Sequence, residues 1–366
     1  MAGPRAGLSL CGRTRRAHGP PRCGRRAGHG AGALRGSPVR RYGRALLLLA
    51  TVIGFAIAAW TIGAVGGRQV LDAMASIGWI GMVVFILWSG GVLTLLGMAW
   101  LVVAPDEPLA RLPLFVWART AREAATDVLP FSHLGGIAVG VRTLAARGIS
   151  DRVIYASMIV DLTTEMASQL LFSLAGVAAL LLLVVTDSAV QANIAPMAAG
   201  GLAALAALAA SFAFAQRPML QLAGALGARL LPGSEAVMTA VREQLDAVYR
   251  RPRRVLAAFV FNLLAWIASA AGAWIALVFM GADTPFWGVM TIEALIFTLR
   301  SVAFAVPGAI GIQEAAYVLI GPLFGLPPAT AVALSLLKRG RDLAIGVPAI
   351  LLWQVGEYRA LADARR

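Results

Sequence analysis

The residues whose types and spacing could support chemistry are carboxylates and arginines that interrupt apolar sequence. Glu314 is the clearest case, because it lies in the stretch VPGAIGIQEAAY (306–317), just after Pro307, Gly308 and Gly311 and between two apolar runs. Proline removes a backbone donor and glycine weakens a helix, so the stretch predicts an interrupted backbone. A carboxylate beside such a break in a membrane indicates a binding site. The alternative is a kink between two spans, with Glu314 at the level of the lipid headgroups.

The first half of the chain has a similar segment. Residues 112–149 are mostly apolar, yet they carry six charged side chains, which an ordinary span does not tolerate. We interpret them as a helix that enters the membrane, breaks at Pro130 and at Gly135-Gly136, and emerges on the same side, with Arg142 after the break. The alternative is an amphipathic helix that lies on the membrane surface.

Further charged residues lie in the apolar segments that flank these breaks. Asp161 and Glu165 are four residues apart, so a helix places both on one face. Glu293 and Arg300 are seven apart on one face, so we expect each to pair with another group. Arg339 follows the second break in a basic cluster. Such carboxylates could bind cationic or hydroxylated lipid heads and the arginines phosphate, although both could equally pair with each other to fix helix packing.

The composition indicates the class of protein. Hydrophobic residues make up 59% of the chain and charged residues 14%, with a mean hydropathy of +0.77, which excludes an ordinary soluble domain. Apolar runs of spanning length recur along the chain. We predict an all-α polytopic integral membrane protein with about seven or eight transmembrane helices and two broken or re-entrant segments. A proline followed by glycine in each half is weak support for two related halves.

The net charge of +14 is uneven, with eleven arginines between Arg5 and Arg44. Basic flanks stay in the cytoplasm, so we predict a cytoplasmic N-terminus, with anionic inner-leaflet lipid rather than nucleic acid as the partner. The predicted organisation is a disordered basic tail (1–44), a membrane domain (45–356, with halves 45–215 and 255–356 joined by a cytoplasmic loop 216–254) and a short tail (357–366).

The predicted spans are separated by short polar segments. Arg68 and Asp72 mark an outer loop, and the basic cluster at 338–342 ends one helix before the last one begins. If this cluster is inside, a simple last span would put the basic tail outside, so either the cluster is partly buried or one segment is re-entrant. The spans are 45–63, 77–103, 153–185, 195–215, 255–280 and 286–305, followed by a short segment 315–326, a helix from Pro327-Pro328 and a final segment 343–355. The cysteines and histidines of the tail fit no common metal-site spacing, so no metal or other cofactor is expected.

These motifs resemble the flippase-like family that includes the transmembrane part of lysylphosphatidylglycerol synthases. The resemblance covers about residues 40–356 and rests on Leu129, Pro130, Gly135-Gly136, Arg142 and Asp161 in the first half and on Pro307, Gly308, Ala309, Gly311, Glu314 and Arg339 in the second. Residues 133–136 depart from the glycine-glutamate that many relatives carry, which favours the hopanoid-associated branch. The soluble aminoacyl-transferring domain of the synthases is not found after the last apolar run, so aminoacylation is not expected.

The resemblance implies transport or flipping of a hopanoid, a phospholipid or another amphiphilic lipid, without a catalytic domain. It also implies a bacterial inner (plasma) membrane, and hopanoid-synthesis proteins as partners. There is no GxxxxGK[ST] loop, so no ATP use is expected. The alternatives are a membrane enzyme that modifies lipid heads, with Asp161 and Glu165 or Glu123 and Asp127 as bases, and a scaffold that recruits lipid enzymes through 216–254. The residues assigned to the substrate site are Glu314, Pro307, Gly308, Gly311, Arg339, Asp161, Glu165, Arg142, Pro130, Gly135 and Arg300.

Overall fold

The structure is a computed structural model that describes residues 56–128, 132–186, 243–244, 246–302 and 309–363. Regular structure in these ranges is entirely helical, which confirms the all-α prediction. The helices are α1 (Ala56–Val65), α2 (Gly67–Ser76), α3 (Gly78–Val103), α4 (Leu112–Val128), α5 (Ser132–Ala145), α6 (Asp151–Thr186), α7 (Pro252–Phe279), α8 (Phe286–Val302), α9 (Ile312–Ile320) and α10 (Pro328–Asp363), with short 3-10 turns at Leu109–Arg111 and Gly321–Phe324.

Three helices among the described residues are long and apolar enough to cross a membrane. They are Gly78–Val103, Asp151–Leu182 and Pro252–Phe279. They confirm the class of a polytopic membrane protein and three of the predicted spans. The predicted spans 45–63 and 195–215 lie largely or wholly outside the described residues, so the count of seven or eight stays a prediction.

The centre of the fold is an antiparallel pair, α3 and α7. Phe279, at the end of α7, packs on Gly81 near the start of α3, and the indole of Trp88 donates a 2.7 Å hydrogen bond to the Ala268 carbonyl. At the other end, Asp106 lies 3.7 Å from Arg251. We call the two ends of the helix bundle the Ile77 end and the Val103 end, after the residues at which α3 begins and ends.

The hairpin of α4 and α5 enters from the Val103 end. Gly136 of α5 faces Thr126 and Arg122 of α4, so the two helices run antiparallel. The expected break at Gly135-Gly136 was wrong, because α5 begins at Ser132 and runs through both glycines. A Cβ at Gly136 would lie 2.3 Å from Thr126 Oγ1, so this glycine lets the two helices approach rather than ending one.

The hairpin of α8 and α9 enters from the opposite, Ile77 end. The Trp287 ring, at the start of α8, contacts the Phe324 ring just after α9, with centroids 5.8 Å apart. Between the two helices, Ala309 and Gly311 have positive φ angles of 47° and 80°, so the predicted backbone interruption is present there. Pro307 and Gly308 lie outside the described residues.

The described helices therefore form two groups. The same kinds of helix follow one another in both groups, but corresponding helices run in opposite directions through the bundle. Each group has a spanning helix, a hairpin of two shorter helices and a helix of 36 residues: α3 to α6 in one group and α7 to α10 in the other. The long helix of each group packs against the first hairpin helix of the other group. Gly176 of α6 touches Ala294 of α8, and Trp353 of α10 packs on the α4–α5 hairpin.

Two predicted boundaries were wrong. The segment with Arg68 and Asp72 is not a loop but the amphipathic helix α2, which buries Val70 and leaves both charged residues exposed. The segments from Pro328 and from Leu343 are one continuous helix, α10, which includes Pro348. The charged cluster at 338–342 does not end this helix, because its side chains find partners on neighbouring helices or within α10.

Candidate functional site

The first charge cluster joins α4 to α6 and consists of Arg119, Arg122, Glu123, Asp161 and Glu165. Arg119 Nη1 and Arg122 Nη1 lie 2.9 and 3.0 Å from the same oxygen, Asp161 Oδ2. Glu165 accepts from Arg122 Nη2 at 2.7 Å and also from Arg119, while Glu123 Oε1 lies 3.0 Å from Arg119 Nη2. The side chains of Arg119 and Asp161 are fully buried. The helical spacing that placed Asp161 and Glu165 on one face therefore places both against the two arginines.

This cluster is not balanced. Among the described residues, three carboxylates face two guanidinium groups, and two buried atoms, Asp161 Oδ1 and Arg119 Nε, make no hydrogen bond. Beside the cluster, the Asn262 amide of α7 donates to Thr164 Oγ1 at 3.1 Å, while its buried carbonyl oxygen has no partner in the described part of the chain. A buried polar atom without a partner costs about 1–3 kcal/mol, so the cluster is a polar region that packing alone does not explain.

The second charge cluster joins α8, α9 and α10 through Glu293, Tyr317 and Lys338. Lys338 and Tyr317 both donate hydrogen bonds to the Glu293 carboxylate, and Lys338 Nζ lies 3.1 Å from the Tyr317 hydroxyl. All three side chains are buried. Lys338 also lies over the Phe297 ring, 5.4 Å from its centroid. Glu293 is thus paired, as expected, and its partner is Lys338 rather than Arg300.

Glu314 lies beside the second cluster, at the start of α9. Its Oε2 accepts the Gly311 backbone N–H at 2.7 Å, and its Oε1 accepts from Arg339 Nε at 2.7 Å and from Ser335 Oγ at 3.2 Å. Ser335 in turn accepts from Gln313 at 2.8 Å. A carboxylate in the first turn satisfies free amides and is stabilised by the helix dipole. Glu314 therefore caps α9 and ties it to α10.

The other predicted site residues do not join either cluster through a hydrogen bond or ion pair among the described residues. Arg142 lies outside both clusters, 58% exposed, where it pairs with Glu357 at the Val103 end. Gly135 has open space where a Cβ would be. Arg300 is half-buried and close enough to Lys338 and Tyr317 to act on both electrostatically. Pro130, like Pro307 and Gly308, lies outside the described residues.

Sequence reasoning assigned no role to Lys338, Tyr317, Ser335 or Asn262. The sequence contained one indication of a buried Lys338. Lys338 follows Ser335 by three residues and Leu334 by four, so a helix places all three side chains on one face, and this face is buried. The signal for Asn262 was weaker, since it is an isolated polar residue in the apolar helix α7. Among the described residues, no three His, Cys, Asp or Glu side chains come together as a metal site would require.

The two clusters lie at similar distances from opposite ends of the bundle. Asp161 comes ten residues after Asp151, where α6 begins at the Val103 end, and Lys338 comes ten after Pro328, where α10 begins at the Ile77 end. At 1.5 Å per residue each lies about 15 Å along its helix. Each half of the fold thus holds buried charged groups about four helical turns from the end at which its hairpin enters.

Comparison with known protein families gives a match over most of the chain. The model of a family described as Lysylphosphatidylglycerol synthase TM region matches residues 47–349. No curated protein and no solved structure matches. The matched region contains both hairpins and both charge clusters, and it agrees with the family that the sequence motifs resemble.

Proposed function

Because the chain belongs to the family of the lysylphosphatidylglycerol synthase TM region, a family of membrane proteins linked to lipid handling, we propose that it carries a lipid between membrane leaflets. The observation that carries this proposal is the pair of hairpins that enter from opposite ends, each with a buried charge cluster. A polar lipid head needs charged groups along its path, and inverted halves allow one site to open to either side. The proposed cargo is a hopanoid or another amphiphilic lipid.

The arrangement favours transport over head-group chemistry at Asp161 and Glu165. Both carboxylates accept hydrogen bonds from two guanidinium groups, so taking up a proton would neutralise the anion in an ion pair, even at Asp161 Oδ1, which has no hydrogen-bond partner among the described residues. In the second half, the Glu293 carboxylate is likewise bound by Lys338 and Tyr317. Groups that exchange partners during a conformational change suit a transport path.

We further propose a bacterial inner membrane with the Val103 end in the cytoplasm. Among the described residues, eight arginines lie at this end: Arg111, Arg142, Arg147, Arg152, Arg250, Arg251, Arg253 and Arg254. The Ile77 end has Arg68 against Asp72 and Asp283. Basic residues near the ends of spanning helices stay in the cytoplasm, which supports this orientation.

A direct test uses the full chain reconstituted in vesicles that contain a trace of head-labelled fluorescent phospholipid. Dithionite reduces the label in the outer leaflet alone, so about half of the signal is lost without transport and more is lost when the protein moves lipid. Arg300→Gln is expected to slow this loss several-fold with little change in thermal stability, because Arg300 is half-buried beside the second cluster. Arg68→Gln, an exposed charge on α2, is the matched control and should be neutral.

A second test identifies the cargo. Lipids of separated inner and outer membranes are compared by mass spectrometry in a strain with and without the gene. A lipid shifted between membranes while the total set is complete supports transport. A lipid that is missing altogether indicates the head-group enzyme instead. An unchanged lipid set, together with an inactive vesicle assay, would contradict the proposal and favour a scaffold.

A further inference from the structure

A row of polar side chains lies between α6 and α7, two helices that are otherwise largely apolar. Thr164 and Ser168 are one turn apart on α6, and Asn262 and Trp266 are one turn apart on α7. The Asn262 amide donates to Thr164 Oγ1 at 3.1 Å, so the two pairs face each other. Both helices begin at the Val103 end, so Ser168 and Trp266 lie one turn further into the bundle. We call these four residues the polar seam.

The polar seam connects the two charge clusters. At one end, Thr164 Oγ1 donates to the backbone carbonyl of Asp161 at 3.0 Å, within the first cluster. At the other end, the Trp266 ring meets the Phe297 ring, with centroids 4.5 Å apart, and Lys338 of the second cluster lies over that same Phe297 ring. A chain of contacts through the seam therefore joins one cluster to the other.

Two polar atoms of the seam have no hydrogen-bond partner in the described part of the chain. They are the Asn262 side-chain oxygen, which is an acceptor, and the Trp266 indole nitrogen, which is a donor, and both atoms are buried. Because the residues are four apart, their side chains share one face of α7. The exposed residues Val260 and Leu264 lie on the opposite face. The interior of the bundle thus holds an unpaired donor and an unpaired acceptor one turn apart.

A hydroxyl group has the chemistry that satisfies both atoms. It donates through its hydrogen and accepts through its oxygen, whereas an ammonium group only donates and a carboxylate only accepts. The four side chains of the seam carry no charge, so they favour an uncharged ligand group. Beside Trp266, the rings of Phe172 and Phe297 lie with centroids 6.3 Å apart and supply apolar walls. A few polar groups among aromatic rings are typical of binding sites for small organic groups.

We propose that Asn262 and Trp266 bind a hydroxyl group in the head of the transported lipid, so that the cargo belongs to the lipids with a polyol or sugar head. This inference rests on the transport function proposed above. Asn262 is fully buried, so a lipid head reaches the seam when α6 and α7 separate during transport. The hydroxyl then accepts from Trp266 Nε1 and donates to Asn262 Oδ1. A head without hydroxyls leaves both atoms unpaired, and sites of this kind discriminate strongly against such analogues.

The test compares phosphatidylglycerol with phosphatidylpropanol of the same acyl chains. The two lipids have the same charge and the same carbon skeleton, and they differ only in the hydroxyl groups of the head. Their binding to the full chain in detergent is measured by native mass spectrometry. We expect phosphatidylglycerol to bind about tenfold more tightly, because only its head satisfies both buried atoms.

Two variants assign this preference to the seam. Trp266→Phe keeps a ring against Phe297 but removes the N–H donor, and Asn262→Leu keeps the size of the side chain but removes the acceptor. Each should reduce the tenfold preference to about two- to threefold. The matched control is Trp274→Phe, because Trp274 lies two turns further along α7 and makes a similar edge contact with Phe286, with centroids 5.9 Å apart. It should keep the preference of the unchanged protein.

The ratio of the two affinities distinguishes a binding role from a structural one. A variant that only loosens the packing weakens the binding of both lipids and leaves their ratio unchanged. Equal binding of the two lipids by the unchanged protein would overturn the site, and so would a preference that both variants retain. The two buried atoms would then hold a bound water only.

The same two lipids with a fluorescent acyl chain, in the vesicle assay with dithionite, separate this inference from the transport proposal. Faster movement of phosphatidylglycerol supports both. Equal movement of the two lipids keeps the transport proposal and overturns the seam as part of its path. If neither lipid moves but the binding preference is present, the transport proposal fails and the hydroxyl site stands.

Discussion

Arg119 is a fully buried guanidinium group in a membrane protein, and its stability there depends on three carboxylates. Asp161 and Glu165 come from α6 and Glu123 from its own helix. Desolvation of a charge is expensive, and removal of one partner from a buried pair is worse than the absence of both. The excess of one carboxylate over the two guanidinium groups means that the residues of this cluster are not equivalent.

We predict that Arg119→Gln destabilises the protein more than Asp161→Asn. The first substitution leaves three carboxylates with Arg122 alone and is expected to cost about 3–5 kcal/mol. The second leaves two carboxylates with two guanidinium groups and should cost about 1–2 kcal/mol, because one hydrogen-bonded oxygen is replaced by an amide. Unfolding of the purified variants in detergent, followed by helical circular dichroism, gives both values. If Asp161→Asn destabilised the protein more than Arg119→Gln, the balance of charges would not determine the stability of this cluster.

Glu314 is predicted to contribute about 2 kcal/mol to the stability of the second hairpin. Glu314→Gln keeps an acceptor for the Gly311 amide but loses the charged pair with Arg339, whose side chain is 26% exposed and therefore partly hydrated. The control is Glu357→Gln, which breaks the exposed pair with Arg142 and should cost no more than about 1 kcal/mol. Equal effects in the same unfolding measurement would contradict a capping role for Glu314.

At the residue scale, the sequence identified the carboxylates better than their partners. Asp161, Glu165 and Glu314 stood out because an acid in an apolar run has few explanations. Their cations could not be assigned, since the partner of Asp161 precedes it by 42 residues and that of Glu314 follows it by 25. Such pairs depend on which hairpin packs beside which long helix, and no local pattern carries that information.

At the scale of elements, the two glycines of α5 have different roles although they are adjacent. A Cβ at Gly136 would meet Thr126 Oγ1 at 2.3 Å and the Arg122 carbonyl at 2.7 Å, whereas a Cβ at Gly135 would meet nothing within 4 Å. Interhelical contact in membranes depends on such close approach. The α4–α5 hairpin thus tolerates a side chain at one position and not at the next.

The prediction is that Gly135→Ala stabilises the protein by about 0.5–1 kcal/mol, since alanine is the better helix former. Gly136→Ala should instead destabilise it by about 1–3 kcal/mol, because α5 must move away from α4. Melting temperatures of the two variants, measured side by side, test this contrast. A stabilising Gly136→Ala would show that the hairpin is not closely packed.

Helix boundaries were the least predictable feature of the elements. The charged cluster at 338–342 predicted the end of a helix, as it would at a membrane surface, yet α10 continues because Lys338, Arg339 and Arg341 are paired inside the protein. Pro348 was also compatible with a helix, since neighbouring groups can satisfy the carbonyl that a proline leaves free. The hydropathy pattern predicted the positions of the three spanning helices, because these helices carry few charged residues.

At the scale of the whole molecule, α10 resolves a conflict in the distribution of charge. A separate last span would have placed the basic C-terminal residues on the side opposite to the cytoplasmic arginines. One continuous helix begins at the Ile77 end and brings Glu357 to Arg142 at the Val103 end. The C-terminal end of α10 therefore lies with the cluster RRPRR (250–254).

We predict that this common end is cytoplasmic. Green fluorescent protein fused after Arg366 should fluoresce, and alkaline phosphatase at the same point should be inactive, because the first folds in the cytoplasm and the second outside it. Alkaline phosphatase inserted at Asp283, at the Ile77 end, should be active. The opposite pattern at both positions would show that the orientation in the membrane is inverted. The same activity at both would contradict the arrangement in which α8 and α9 form a hairpin and α10 alone connects the two ends.

The α4–α5 hairpin packs against helices that are synthesised after it, which has a consequence for synthesis on the ribosome. Arg119 is made 42 residues before Asp161, about 2–8 s at 5–20 residues per second. The apolar face of α4 remains uncovered for longer, since its partner α10 is the last of the described helices to be synthesised. A nascent or truncated chain that lacks α10 thus presents an unfinished hairpin to the bilayer. That hairpin is the surface by which membrane quality-control proteases would recognise an incomplete product.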